Sequence, residues 1–455
     1  MDAKADVSDQ INAVLRDSYL AKVKVGIKIM RLGPDKPVGV VYEKESTHPL
    51  VPASNLKLIT TAAALDGLGA DFVFKTKLLQ KGDTIALVGD GDPSLGDAEA
   101  LEGTGWRSTT LFEKWAEGLS GRGVKSAAKL LYDNSIFDDK FQHPNWPEDQ
   151  LHKRYVAGVA GLNFNANCLD FYLKPKGIGQ TVDYSVDPTT TYAPIANTCV
   201  GGKKNAVWLS RMPDSNKIEL RGQIDVANIK PISVTVENPP LMTATVLGDV
   251  FKKAGIALPT EVTRDTTIRT NEDGWTPLAV YETPISHIIA RANKDSMNLY
   301  AEALCKRLGA KTGNEPGSWK NGPAAVGAFL QSIGIDDKQF SLDDGCGLSK
   351  HNVISPGGIV AVLEHEFYAR HKDVYLASLS VAGADGTLKE RFAGSSLQER
   401  VIGKSGFVNG VSSLSGFLRA KDGSTFVFSI MFNGIAEGTN SRAKVLQEKI
   451  VQALD

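Results

Sequence analysis

Apolar and polar positions follow different periods in three successive stretches of the chain. The first stretch predicts a helix at about 9–20, a hairpin of two alternating strands and an apolar helix at about 56–65 that ends near Gly69. From Phe74 onward, short strands and turns dominate. A helical period returns at about residue 284, before three strands and a final helix. The pattern therefore predicts helices and sheet at both ends and a strand-rich middle.

Turn residues and the local period set the bounds of the remaining elements. The predicted helices are 111–119, 243–254, 284–291, 298–308, 324–333, 355–368 and 442–454. The predicted strands are 23–30, 38–42, 75–79, 84–87, 129–133, 171–173, 206–209, 217–222, 232–236, 261–268, 401–405, 411–418 and 425–432. The dipeptide Asn409-Gly410 is a strong signal for a two-residue hairpin turn between two of the last strands.

Composition narrows the class of protein. The 455 residues, 42% hydrophobic against 23% charged, can bury the cores of two to four domains. A net charge of −1 without a long Lys/Arg run argues against a nucleic-acid partner. No apolar stretch is long enough to span a bilayer, so we expect no transmembrane anchor. The opening residues lack the charged start and apolar core of a signal peptide, which is therefore absent or already removed.

Metal and cofactor chemistry has little support in the sequence. The four cysteines, which lack the Cys-x-x-Cys spacing of zinc sites, are Cys168, Cys199, Cys305 and Cys346. Either a Cys168–Cys199 disulfide or buried free thiols are consistent with the sequence. Glu364-His365-Glu366 and His371 lack the His-x-x-x-His spacing, so we interpret these residues as a helix surface. The glycine-rich loop at 89–96 lacks dinucleotide-motif spacing. We expect no metal and no cofactor.

Ser54 and Lys57 are the first candidate catalytic residues. Residues three apart share a helix face, so the hydroxyl and the amine can meet at the start of the apolar helix. Burial makes a lysine give up its proton more easily, and the neutral amine can then act as a base toward a serine. The same Ser-x-x-Lys pattern occurs at Ser126 and Ser441, but only Ser54 opens an apolar helix.

Two later motifs could complete a site. Ser296-Met297-Asn298 precedes a predicted helix, and its hydroxyl and amide could pass a proton and hold a substrate carbonyl, although a helix N-cap is an equal alternative. Lys404-Ser405-Gly406 lies on a predicted strand, which can present backbone N–H groups in a fixed row. The rival Lys311-Thr312-Gly313 is interpreted as a loop, and we prefer Lys404.

The three motifs, in this order, resemble the signature of the serine penicillin-recognising enzymes. An insertion of about 200 residues between the first two motifs resembles the class C low-molecular-mass penicillin-binding proteins, the D-alanyl-D-alanine carboxypeptidase/endopeptidase family. The resemblance covers nearly the whole chain. Secondary stretches that agree with this family are 87–95, 162–168, 344–349 and 381–388.

The resemblance implies a fold and a domain plan. The fold is an α/β (α+β) penicillin-binding/serine β-lactamase-like domain, an antiparallel sheet flanked by helices, with two inserted strand-rich domains. The expected catalytic domain combines 1–73 and 275–455. An inserted domain is expected at 74–166 and 237–274, with a smaller domain nested at 167–236.

The resemblance also implies a serine D-Ala-D-Ala peptidase that acts on peptidoglycan stem peptides and cross-links and binds penicillin covalently. Ser54 would be the nucleophile and Lys57 its base. Ser296 with Lys404 would protonate the leaving D-alanine, and Asn298 would hold the peptide amide. The backbone N–H groups of Ser54 and Phe407 would form the oxyanion hole, and Lys404 with Ser405 would attract the terminal carboxylate. Such an enzyme would work in the periplasm or cell-wall space.

Three positions qualify this expectation. Many family members carry a second hydroxyl residue where this chain has Phe407, so a carboxylate-binding group is missing and endopeptidase cleavage is favoured. Cys346 stands where a serine is more usual, and we interpret it as a packing change. An acid that follows the tryptophan of the inserted-domain loop contacts the diaminopimelate amine in relatives; Asp149, with Glu148 beside it, is the candidate, and a plain surface charge is the alternative.

Two other functions stay open from the sequence alone. A β-lactamase or esterase on the same fold would differ in hydrolysing its acyl-enzyme rapidly. A non-catalytic wall-binding protein would form no acyl-enzyme, but every expected nucleophilic and proton-transfer residue is present.

Overall fold

The computed structural model describes residues 3–212, 215–312 and 315–455. These residues form two compact units. One unit combines the two ends of the chain, Met1–Phe72 and Pro284–Asp455, and the other is the intervening Val73–Thr283. The separate nested domain expected at 167–236 stays a prediction.

The first segment of the chain supplies a helix, a hairpin and the helix that follows Ser54. Its elements are α1 (Ala3–Leu15), β1 (Lys24–Leu32), β2 (Pro37–Lys44) and α2 (Leu56–Leu68). The predicted single helix at 9–20 is wrong in its bounds, because the Asp17 carboxylate accepts the Tyr19 N–H and starts a separate 3-10 turn. The end of α2 is as expected, since Gly69 follows it with φ of 98°, which favours glycine.

The Val73–Thr283 unit is rich in strands. Its elements are β3 (Val73–Lys81), β4 (Thr84–Val88), α3 (Thr110–Gly121), β5 (Lys129–Asp133), β6 (Cys168–Lys174), β7 (Asp183–Asp187), β8 (Ile195–Asn197), β9 (Val200–Gly201), β10 (Ala206–Arg211), β11 (Ile218–Ile224), β12 (Ile232–Thr235), α4 (Pro239–Lys253), β13 (Thr263–Arg264) and β14 (Thr276–Pro284). They build a five-stranded sheet β13-β5-β4-β3-β14, a three-stranded sheet β12-β6-β7, and a third sheet with the order β10-β11-β8 in which β9 also pairs with β11.

Two predictions in this unit need correction. The strand expected at 261–268 is reduced to β13, because Asp265 turns the chain by accepting hydrogen bonds from Thr267. The helix expected at 243–254 begins earlier, at Pro239, where the Asn238 side chain caps it.

The second segment of the first unit completes the site-bearing fold. Its helices are α5 (Ile285–Lys294), α6 (Asn298–Thr312), α7 (Asn321–Ser332), α8 (Pro356–Tyr368), α9 (Lys372–Ala377) and α10 (Asn440–Gln452). Its strands are β15 (Phe340–Ser341), β16 (Val353–Ile354), β17 (Ser380–Val381), β18 (Val401–Val408), β19 (Val411–Arg419) and β20 (Thr425–Asn433).

The main sheet of this unit has six antiparallel strands in the order β17-β18-β19-β20-β1-β2. Helices α1 and α10 pack against each other, α1 also against β2 and α10 against β19. Helix α8 packs on β1 and β20, and α2 packs against α8. All of β19 except Arg419 is buried, as a central strand covered on both faces requires. The predicted class, an antiparallel sheet flanked by helices, is confirmed. In the part of the chain that the structure describes, no helix has the length and apolarity needed to cross a bilayer.

Candidate active site

Ser54 lies in a tight turn that the neighbouring sheet holds in place. A 3-10 turn at Ala53–Asn55 runs directly into α2, and Ala53 has φ of 49°, a left-handed conformation that is uncommon outside glycine. The Ser413 hydroxyl of β19 donates to the carbonyl oxygen of Pro52 (2.6 Å). The Asn55 side chain bonds the Ser415 hydroxyl of β19 (2.7 Å), and in the amide orientation that satisfies both of its polar atoms it donates to the carbonyl oxygen of Lys404 on β18 (2.8 Å). Asn55 is a positioning residue that the sequence did not single out.

Lys57 connects the first two motifs. Its Nζ atom donates to the Ser54 hydroxyl (3.1 Å), to Asn298 Oδ1 (2.7 Å) and to the carbonyl oxygen of Cys346 (2.8 Å). The side chain is completely buried. Burial lowers the pKa of the amine, and the acidic groups of Cys346, Asp344 and Glu302 act in the opposite direction. The structure therefore gives Lys57 the contact and the environment of a base toward Ser54.

A second Ser–Lys pair lies beside the first. Ser296 lies in the short connection between α5 and α6 with φ of 58°, and its hydroxyl accepts a hydrogen bond from Lys404 Nζ at 2.9 Å. Burial, and then the charge of Lys57, hold the pKa of Lys404 well below its usual range. The three motifs lie together, because Lys57 bonds Asn298 of the second motif and Lys404 of the third motif bonds Ser296.

The strand after Lys404 fits closely against the Ser54 turn. A Cβ atom at Gly406 would lie 3.0 Å from the backbone nitrogen of Ser54 and 2.8 Å from the carbonyl oxygen of Pro52. Only glycine leaves that space free. Side chains alternate along a strand, so Ser405 and Phe407 point away from this contact, and Phe407 is 55% exposed.

The alternative motifs lack this environment. Lys311 and Thr312 are in the last turn of α6, not in a loop as expected, and Lys311 Nζ donates to the carbonyl oxygen of Gly67. Gly313 of that motif lies outside the described residues. Ser126 and Ser441 are exposed, unlike the partly buried Ser54 beside its buried lysine.

Asp149 belongs to the Val73–Thr283 unit, and the catalytic motifs belong to the other unit. It lies with Glu148 in an exposed 3-10 turn at Glu148–Gln150, three residues after the buried Trp146. Its contact with a substrate stays a prediction.

The sequence missed a buried acidic cluster next to Lys57. Glu302 of α6, Asp344 and Cys346 are all buried. A carboxylate oxygen of each acid and the Cys346 sulfur lie within 4.8 Å of one another. The interpretation of Cys346 as a packing change is incomplete, because its thiol lies within 4.8 Å of carboxylate oxygens of Glu302 and Asp344. The Glu302 and Asp344 oxygens already accept backbone N–H groups of the loop between them, which makes this a hydrogen-bonded cluster. Glu302 follows Asn298 by one helical turn and therefore shares its helix face. This spacing was the sequence signal that could have placed Glu302 near the site.

One open alternative is decided, and one further expectation is corrected. All four cysteines are free and buried, so Cys168 and Cys199 form no disulfide. The segment with Glu364, His365 and Glu366 is not a simple helix surface, because Glu366 is completely buried and lies 3.0 Å from His371.

The site has the parts of a serine acyl-transfer enzyme. These parts are a serine hydroxyl bonded to a buried lysine, a second serine–lysine pair beside it, and a strand that lies against the serine turn. Residues 7–455 match the model of the D-Ala-D-Ala carboxypeptidase 3 (S13) family. The chain belongs to this family. It is accordingly a serine-type D-Ala-D-Ala carboxypeptidase, a penicillin-binding hydrolase of peptidoglycan.

Individual relatives match most of this chain, as the family model does. A D-alanyl-D-alanine carboxypeptidase of an Actinomadura species is 28% identical, with 94% of this chain and 81% of the relative covered. D-alanyl-D-alanine carboxypeptidase DacB of Haemophilus influenzae is 26% identical, with coverages of 91% and 86%. Among solved structures, penicillin binding protein 4 of Haemophilus influenzae has a TM-score of 0.79 at 23% identity and covers 97% of this chain and 98% of its own. A predatory peptidoglycan endopeptidase of Bdellovibrio bacteriovorus has a TM-score of 0.54 at 16% identity, with coverages of 95% and 92%.

Proposed function

We propose that Ser54 is the nucleophile of this peptidase and that Lys57 is its base. The observation that carries the proposal is the position of the Lys57 amine, which bonds the Ser54 hydroxyl and Asn298 at the same time. The Ser54 oxygen attacks the carbonyl carbon of the penultimate D-alanine while its proton passes to Lys57 Nζ. A carbon–oxygen bond to Ser54 forms, and the tetrahedral intermediate carries the negative charge on the former carbonyl oxygen. The ester forms when this intermediate expels the leaving amine.

The second Ser–Lys pair serves the leaving group. When the carbon–nitrogen bond breaks, the departing amine takes the Ser296 hydroxyl proton, and Lys404 replaces it through the 2.9 Å contact. Water then attacks the ester and gives a proton back to Lys404 through Ser296, while Lys57 returns its proton to the departing Ser54 oxygen. Asn298 holds the peptide amide, and the backbone N–H groups of Ser54 and Phe407 stabilise the oxyanion. The close fit of Gly406 against the Ser54 turn supports this last assignment, because it keeps the two N–H groups on neighbouring segments.

The same groups account for β-lactam inhibition. Penicillin binding protein 4 of Haemophilus influenzae has been solved with a bound β-lactam. In the present chain, a β-lactam carbonyl would be attacked by Ser54 as the peptide carbonyl is, and the opened ring would remain as an ester. Peptidoglycan is the substrate of the family, so we place the enzyme outside the cytoplasmic membrane, in the periplasmic or cell-wall space.

The carboxylate end of the substrate decides between the two peptidase activities. Lys404 and Ser405 offer positive charge and a hydroxyl to a terminal carboxylate, but Phe407, on the Ser405 side of β18, offers an exposed aromatic ring instead of a second hydroxyl. In a cross-link the leaving amine belongs to the side chain of a second stem peptide, whose further contacts can compensate for one missing carboxylate-binding hydroxyl. We infer that cleavage of cross-links is favoured over removal of a free terminal D-alanine.

A hydroxyl at position 407 is expected to increase carboxypeptidase activity. A hydrogen bond to a charged group contributes about 1.5–3 kcal/mol, so Phe407→Thr should raise D-alanine release from monomeric muropeptides about tenfold relative to dimer cleavage. Phe407→Leu is the matched control, because it removes the ring without adding a donor. The inference fails if both variants change the ratio of the two activities equally.

Digestion of purified muropeptides tests the proposed function. Wild-type protein should convert cross-linked dimers to monomers, and Ser54→Ala should release no product above background. Ser441→Ala changes the exposed serine of another Ser-x-x-Lys pattern and should retain wild-type activity. Activity that survives in Ser54→Ala would refute the assignment of the nucleophile.

A further inference from the structure

The loop that follows β15 lies between α6 and α2 and has two chemically different sides. On the α6 side, its N–H groups point at buried carboxylates. The Glu302 carboxylate accepts the N–H groups of Gly345 (2.9 Å) and Cys346 (2.6 Å). Asp344 accepts the N–H groups of Gly347 (2.7 Å) and Ser349 (2.7 Å).

On the α2 side, the same peptide groups present their carbonyl oxygens. The Gly345 carbonyl accepts the Thr60 hydroxyl at 2.6 Å, and the Cys346 carbonyl accepts Lys57 Nζ at 2.8 Å. A Cβ atom at Gly347 would lie 1.9 Å from the carbonyl oxygen of Ala53, so the loop also presses against the turn that holds Ser54. Cys346 is therefore held from both sides, because its N–H donates to Glu302 and its carbonyl oxygen accepts Lys57 Nζ. The N–H in the same peptide as that carbonyl belongs to Gly347 and donates to Asp344.

This geometry points to Glu302 as a positioning residue that controls Lys57 through Cys346, whose N–H it accepts and whose carbonyl oxygen contacts the Lys57 amine. The inference rests on the proposed function of Lys57 as the base. Glu302 touches neither Ser54 nor a substrate in this arrangement. It fixes the carbonyl that orients the Lys57 amine, and its negative charge favours the ammonium that Lys57 becomes when it takes the Ser54 proton.

Several of the described charged groups act on the pair or on its neighbours, including the buried Lys306 of α6, which acts on the Cys305 thiol, and Asp295, which acts on Lys404. Against the effect of burial, Cys346 and Asp344 of the loop and Glu302 of α6 raise the pKa of Lys57. Lys57 in turn lowers the pKa of Lys404 on β18. Glu302 also raises the pKa of the Cys305 thiol on α6.

Burial raises the pKa of Glu302 to about 8, and the charge of Asp344 acts in the same direction. The backbone N–H groups of Gly345 and Cys346 act in the opposite direction on this pKa, because they donate to the ionised carboxylate.

Replacing Glu302 with glutamine separates charge from shape. A negative charge raises the pKa of a nearby amine, so its removal lowers the pKa of Lys57 and leaves the amine in its basic form down to lower pH. In Glu302→Gln, the acidic limb of the acylation rate against pH should move down by about one pH unit, and the plateau rate should fall about tenfold. The measurement is the rate constant for acylation by a fluorescent penicillin between pH 5 and 10, with unfolding followed by circular dichroism.

Two comparison variants make the result specific. Glu302→Asp keeps the charge but retracts it from the loop, so its plateau should fall while its acidic limb stays near the wild-type position. Glu315→Gln removes one exposed charge just beyond α6 and should behave as wild type. If Glu302→Gln does not fold, the Asp variant still decides, because wild-type rates in it would contradict the inference.

An unmoved acidic limb in folded Glu302→Gln, with or without a lower plateau, would overturn the inference. Ser54→Ala, measured in parallel, tells this failure from that of the proposed function. A wild-type adduct that is lost in Ser54→Ala supports the nucleophile whatever Glu302 does. An adduct that persists in Ser54→Ala contradicts the proposed function itself.

Discussion

Replacing Lys57 with methionine should reduce acylation by penicillin about a thousandfold. Methionine matches the length of the buried side chain but cannot take the Ser54 proton. The change also leaves Asn298 Oδ1 and the Cys346 carbonyl without the donor they have in the wild type, at about 1–3 kcal/mol each, whereas removal of a buried amine offsets part of that cost. The measurement is the rate constant for labelling by a fluorescent penicillin, with thermal unfolding as the check on folding.

The rival lysine supplies the control for this experiment. Lys311 is exposed at the end of α6 and bonds the carbonyl oxygen of Gly67, so Lys311→Met should label at the wild-type rate with a slightly lower melting temperature. Labelling of Lys57→Met within tenfold of wild type would show that Lys57 is not the base.

Replacing Gly406 with alanine is the second change with a large expected effect. The added methyl group would lie 2.3 Å from the Ser413 hydroxyl and 2.8 Å from the carbonyl oxygen of Pro52, so β18 must move away from the Ser54 turn. Such overpacking costs about 1–3 kcal/mol of stability. A displacement of about 1 Å at the oxyanion donors can reduce the rate about a hundredfold, and we expect at least that loss in acylation.

Gly118→Ala is the matched control, because a Cβ atom at that position of α3 meets nothing within 4 Å. It should label at the wild-type rate and gain a little helix stability. If Gly406→Ala acylates as fast as wild type, the strand does not define the oxyanion site.

The sequence predicted the main elements of the site because their signals are local. The apolar run after Ser54 predicts a buried helix, and α2 is buried along most of its length. Asn409-Gly410 predicts the two-residue turn between β18 and β19, where Val408 pairs with Val411 and Gly410 has φ of 86°. Both features depend on neighbouring residues alone.

The misses arise where tertiary structure overrides the local pattern. Strand β14 was not predicted, because it joins the edge of a sheet beside β3 and keeps much of its length partly or fully exposed, without a clear alternation of apolar residues. Glu302 lies on a helix, where a single charged residue is typical of a solvated face, yet it is completely buried. Nothing near it in the sequence reveals that the loop after residue 344 supplies the N–H groups that make its burial possible.

Peptide mapping of the penicillin adduct tests the central claim most directly, namely that three distant motifs converge to activate one serine. The protein is incubated with penicillin, digested and analysed by mass spectrometry. We expect one penicilloyl group per chain, on the peptide that contains Ser54, and a stable adduct as befits a peptidase. An adduct on Ser126, Ser296 or Ser441, or no adduct on active protein, would contradict the account.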